Sequence, residues 1–274
     1  MATTRDAWTA TLKTALFLAA TFIIAFSLQL LVHELGHLAA GLALGAELER
    51  LVLHPFGNSQ VVFKEVGDQA SRVVIGLMGI VMDFAVAGTL FFALHKRLKP
   101  PFLFVPMWLA IACIGEGIGM LGNIAAYNQR PRYIEDVAQL FTLGVPAAPV
   151  AVLSVVLILL GMLLMTAITP MAGLRRTDNF LKRLIAYFAC MPLYFVLAIL
   201  YLRLLGRASP ELEMRTMQLA LASVLALVMA VAHPLVQDLL KKRARSFPEA
   251  MPERRDLGVV LLSCLVLMAG LFVL

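Results

Sequence analysis

The chain has 274 residues, of which 61% are hydrophobic and 15% charged, with a mean hydropathy of +0.88 and a formal net charge of +6. A soluble domain is about half apolar and a quarter charged, so this composition excludes an ordinary globular protein. It also leaves no room for a separate soluble domain, because the apolar residues gather into runs of about 20, enough to cross a hydrocarbon layer ~30 Å thick.

Seven such runs occur, at about 15–45, 70–94, 102–126, 147–172, 180–205, 214–238 and 257–274. They predict an all-α polytopic membrane protein with about seven transmembrane helices. Across seven alternating spans, fifteen Lys and Arg fall on the amino-terminal side and eight on the other. The positive-inside rule then puts the amino terminus in the cytoplasm, and the setting expected is a bacterial-type plasma membrane. The basic balance is topological and is no nucleic-acid footprint. Cys113, Cys190 and Cys264 all sit inside apolar runs without paired spacing, which reads as buried free thiols and not as metal ligands.

The first run carries His33-Glu34-Leu35-Gly36-His37. It therefore does not read as a removable signal peptide, since cleavage would remove these residues. On a helix, His33 and His37 stand one turn apart on one face and can ligate one metal ion. Glu34 lies beside them. A zinc ion lowers the pKa of a coordinated water from near 16 to roughly 7, and Glu34 is placed as the general base that takes the proton and passes it to a leaving amine. Packing alone is a poor reason for two histidines and a glutamate in an apolar span, where ionisable groups are costly and mark function.

After this span, Leu48–Leu53 and Val61–Phe63 flank a turn at His54-Pro55-Phe56-Gly57-Asn58-Ser59. This predicts a small β-hairpin over about 47–64, either a plain interfacial loop or an edge that pairs with an extended peptide. The second run contains Asp83, and His95 to Pro101 form a short basic stop. The third holds Gly115-Glu116-Gly117-Ile118-Gly119 and Asn123. Its glycines would let a helix or a substrate come close. A polar cavity lined by Asp83, Glu116 and Asn123 is expected to bring water to the site.

Two histidines leave a catalytic zinc one protein ligand short. The residues themselves leave that choice open among Glu116, Glu135, Asp136 and, more weakly, Asp83 and His54. The last four runs are poor in polar groups. His233-Pro234 in the sixth reads as a kink or a satisfied interior histidine, and 239–256 as a solvated basic linker at an anionic membrane surface.

Segment Asn128-Gln129-Arg130-Pro131-Arg132-Tyr133-Ile134-Glu135-Asp136 resembles the second motif of the site-2 proteases, Asn-x-x-Pro-x-x-x-x-Asp-Gly, in spacing and in order after the His-Glu motif. The resemblance covers about residues 15–140. It implies Asp136 as the third zinc ligand and Asn128 near the substrate or oxyanion. The chain departs from the pattern at Val137, where the family has glycine, and at polar Gln129, Arg130 and Arg132. Gly79-Ile80-Val81-Met82-Asp83 resembles the family's Gly-x-x-x-Asn, with Asp83 in place of the amide and a role in orienting a ligand. The domain organisation expected is a catalytic three-helix core over 1–140 followed by four additional helices over 141–274. No PDZ-like or CBS-like insertion is present, so regulation would come from the extra helices or a membrane partner.

The function expected is zinc-dependent intramembrane endopeptidase activity, with transmembrane segments of other proteins, locally unwound, as substrates. His33 lies 20 residues beyond Lys13, about 30 Å of helix, which puts the zinc toward the non-cytoplasmic side. Two other classes compete. A catalytically inactive scaffold that binds transmembrane segments is opposed by the intact Glu34. A metal or proton transporter is opposed by the lack of internal repeats or paired broken helices.

Overall fold

A computed structural model of the chain describes residues 4–53, 59–129, 137–204, 209–242 and 253–273. Helix α1 runs unbroken from Thr4–Ala43. Its 40 residues extend about 60 Å, twice a hydrocarbon layer. It stops at Gly45, whose φ of +78° is left-handed backbone that glycine takes without steric cost. The Ala46 N–H bonds to the Gly41 carbonyl at 2.9 Å, and the chain turns directly into a strand.

Strands β1 (Leu48–Val52) and β2 (Gln60–Phe63) pair antiparallel, with Arg50 opposite Val62, Leu51 opposite Val61 and Val52 opposite Gln60. The register slips between Leu48 and Arg50. The two strands fall where the sequence predicts them, and His54 and the rest of the turn to Asn58 lie outside the described residues. A Cβ at Gly41 would fall on the ring of Phe63, so that ring seats β2 on α1. Glu47 and Lys64 form an ion pair across the base of the sheet.

Helix α2 (Gln69–Leu94) is capped by Asp68, whose carboxylate accepts the Ser71 N–H at 2.8 Å. That bond holds the Asp68 carboxyl below its ordinary value. Two short 3-10 turns carry the basic stop after α2. Then come α3 (Phe104–Gln129), the single turn-and-a-half of α4 (Ala138–Thr142), α5 (Ala147–Ile168), α6 (Phe180–Leu204), α7 (Ser209–Lys242) and α8 (Arg254–Val273). Helix α7 continues through Pro234.

Six of these helices, α1, α2, α3, α5, α6 and α7, are long and apolar enough to cross a membrane. Where the sequence predicts seven runs, these six account for the first six, and α8 covers the last as a 20-residue helix packed on α1.

Glycines stand at close helix crossings. A Cβ on Gly36 of α1 would stand 2.5 Å from the Met78 carbonyl oxygen of α2. On the other side, a Cβ at Gly117 of α3 would meet the Ser154 carbonyl at 2.7 Å, and one at Gly161 of α5 the Ala110 carbonyl at 2.6 Å. Between spanning helices there is little hydrophobic drive, so backbone proximity and packing carry the association. One core, from Phe17, Leu18 and Phe22 through Met107, Trp108 and Met165 to Tyr194 and Met229, runs through both halves of the chain. Helix α1 contacts α2, α3, α6 and α8. The helix that carries the His-Glu motif is thus packed on four others.

Candidate metal centre

His33 and His37 sit 10 and 6 residues before the end of α1, about 15 and 9 Å of helix from the turn into β1. Their side chains face α2, as the four-residue spacing requires. Each ring is held through Nδ1. The His33 Nδ1 lies 3.0 Å from Asp83 Oδ2, and the His37 Nδ1 lies 2.7 Å from the Ile75 carbonyl oxygen. A carbonyl can only accept, so His37 carries its hydrogen on Nδ1, and an ionised Asp83 asks the same of His33. In that tautomer the lone pair of each ring is on Nε2. Metal-binding histidines are commonly oriented this way, by a carboxylate or a backbone carbonyl on the remote nitrogen.

Gly79 tests whether an ion fits. A Cβ there would lie 2.6 Å from His37 Nε2 and 2.8 Å from His33 Nε2. The two nitrogens therefore converge on one small space that only glycine leaves open. Imidazole nitrogens supported by carboxylates suit zinc and its first-row neighbours. The residues present fit a metal ion.

Asp83 is fully buried and stands behind His33, away from solvent. Besides His33 it receives Gln29 Nε2 at 3.4 Å, while the Trp108 indole nitrogen approaches the same carboxylate without closing a hydrogen bond. Gln29 also reaches Glu116 Oε1 at 3.5 Å, and Glu116 is 3.5 Å from His33 Nδ1. One amide and one imidazole thus gather two carboxylates from two other helices. His33, Asp83 and Glu116 place ligand atoms within 4.8 Å of one another and could hold a metal ion among themselves. That set uses the Nδ1 face of His33 and omits His37. The Nε2 pair uses both histidines of the motif and leaves their supporting bonds intact, so we favour it.

A cavity of about 1380 Å³ opens onto the centre. His33, Glu34 and His37 line it, with Glu116, Gly119 and Asn123 from α3 and Gln60, Val61 and Phe63 from β2. Glu34 and His37 are buried to 6% and 8% exposure, so the polar groups meet the cavity deep in the bundle. Asn123 donates its amide to the Gly119 carbonyl at 2.9 Å.

The structure brings together His33, Glu34, His37, Asp83, Glu116 and Asn123. Glu116 and Asn123 line the cavity, and Asp83 stands behind His33. Asn128 lies in the last turn of α3, and its side chain is outside the described residues, as are Glu135 and Asp136 entirely. Val137, next in the chain, lines the cavity. Gln29 escaped the sequence reading although it precedes His33 by one helical turn on the same face. That spacing was the available signal. Searches against protein-family models, curated proteins and solved structures returned no match to this chain.

Proposed function

We propose that the protein is a zinc-dependent intramembrane endopeptidase, related to the site-2 proteases by the motifs that resemble theirs. The observation that carries this reading is the convergence of the His33 and His37 Nε2 atoms beside Gly79, with each Nδ1 held by an acceptor and Glu34 in the same cavity. His33 and His37 would hold the ion with Asp136 as third ligand. Bound there, zinc would supply a Lewis acid for the scissile carbonyl and acidity for the attacking water.

The chain's own residues do the rest. Glu34 takes the water's proton and returns it to the leaving amine. Asp83 and the Ile75 carbonyl keep both imidazoles turned toward the ion. Asn128 assists at the carbonyl oxygen. The substrate is a transmembrane segment unwound into an extended strand, because a helix keeps its carbonyls engaged. Strand β2, on the cavity wall, offers an edge along which such a strand can pair. In this reading α8 is the seventh span, the amino terminus is cytoplasmic in a bacterial-type plasma membrane, and the centre opens toward the other side.

Metal analysis of purified protein tests the centre: one zinc per chain in the wild type, lost in His37→Ala. Comparative proteomics tests the chemistry. Cells with Glu34→Gln should accumulate uncleaved membrane proteins that wild-type cells process. A zinc-free wild type, or identical membrane proteomes, would overturn the proposal.

A further inference from the structure

Gln29 stands one turn before His33 on the same face of α1, 6% exposed in an otherwise apolar stretch. Its amide nitrogen carries two hydrogens, and two carboxylate oxygens lie within reach. Asp83 Oδ2 of α2 is 3.4 Å away and Glu116 Oε1 of α3 is 3.5 Å away. The same two oxygens flank His33 Nδ1, at 3.0 and 3.5 Å. An imidazole N–H serves one acceptor well, and the nearer, Asp83, takes it.

Asp83 depends on this arrangement. It is 0% exposed, and its Oδ1 finds no donor among the described residues. Its hydrogen bonding therefore falls on Oδ2, from His33 and Gln29. Two carboxylates this close to one imidazole repel each other unless a donor lies between them, and the Gln29 amide is that donor. It comes at a cost to the fold. The amide oxygen Oε1 is buried with no partner, whereas a leucine would fill the position and strand no polar atom. A polar group kept inside a membrane span at such a cost points to the site it touches.

We infer that Gln29 is a positioning residue of the metal centre. Anchored on Glu116, its amide fixes the Asp83 carboxylate, and Asp83 in turn keeps the His33 ring turned so that Nε2 faces Gly79 and the ion. The support of the centre thus draws on three helices. Helix α3 acts on the ion through Glu116 and Gln29, although neither side chain is a ligand in this arrangement. The inference rests on His33 as a metal ligand, and it assigns to Gln29 a role that the His-Glu motif does not contain.

The test uses the full chain in detergent, with zinc affinity measured by chelator competition and the unfolding temperature measured on zinc-free protein. Gln29→Leu should bind zinc about tenfold more weakly than the wild type, the low end for lost support of a ligand. Its zinc-free unfolding temperature should stay equal or rise, which a residue needed only for packing would not allow. Asp83→Ala should also weaken zinc binding, and adding Gln29→Leu to it should weaken it no further, because the amide acts through that carboxylate. Should Gln29→Leu fail to fold, Gln29→Asn decides by the same measurements, since it keeps the amide but withdraws it by one methylene. Unchanged zinc affinity, a loss that adds in full to that of Asp83→Ala, or a loss accompanied by a lower zinc-free unfolding temperature overturns the inference and leaves the centre standing. A wild type that binds no zinc overturns the centre and the inference together.

Discussion

At Gly79 a hydrogen atom stands where any other residue would place a carbon, 2.6 Å from one imidazole nitrogen and 2.8 Å from another. Gly79→Ala should therefore displace both rings and lower metal affinity at least about tenfold, the low end for disturbed support of ligands. Helix content by circular dichroism should stay unchanged, because alanine favours the helix more than glycine does. Unchanged zinc stoichiometry under dilute chelator would count against the centre as described. The spacing of His33 and His37 is a property of the sequence. That their Nε2 atoms meet at Gly79 depends on the α1–α2 crossing, which places Gly36 against Met78 and brings Ile75 and Asp83 to the remote nitrogens. Gln29 and Glu116 show the same limit from the other side. They sit 87 positions apart, and only the three-helix packing makes them neighbours.

Elements hold these residues through two different devices. Helices α3 and α5 approach through Gly117 and Gly161. A leucine at Gly161 would push against the Ala110 carbonyl at 2.6 Å and Cys113 Cβ at 3.0 Å. Overpacking of this kind costs about 1–3 kcal/mol, so Gly161→Leu should unfold at visibly lower temperature in detergent. A Cβ at Gly119 meets nothing within 4 Å, and Gly119→Ala should match the wild type. The start of α2 depends on Asp68 instead. Its carboxyl lies below its ordinary value of 3.8, chiefly through the Ser71 N–H, so the cap stabilises the fold above about that pH. The stabilisation fades as pH falls through the depressed folded value. Asp68→Ala should lower the unfolding temperature at neutral pH, and the gap to wild type should close in strong acid. A gap that does not depend on pH would mean the carboxylate charge is not what caps the helix.

At the scale of the whole molecule, α1 organises the bundle, with its motif near one end and the small sheet beyond it. The alternation of spans puts Glu47 and Thr177 at opposite ends. In a variant with Cys113, Cys190 and Cys264 replaced by serine, cysteines introduced at these two positions should react with an impermeant thiol reagent from opposite sides of the membrane. Labelling of both from one side would break the topology. The sequence by itself determined the membrane class, nearly all helix positions, the two strands and the His33-Glu34-His37 motif. Each of those rests on local chemistry: long apolar runs, a 3.6-residue period and β-forming residues around a turn. Only the tertiary structure decided that Asp83 meets His33 at Nδ1, that Gln29 ties Asp83 to Glu116, and that β2 walls the same space. The bonds of Asp83 and Gln29 join residues 50 or more positions apart, and such distances along the chain are closed by helix packing, which no local pattern encodes.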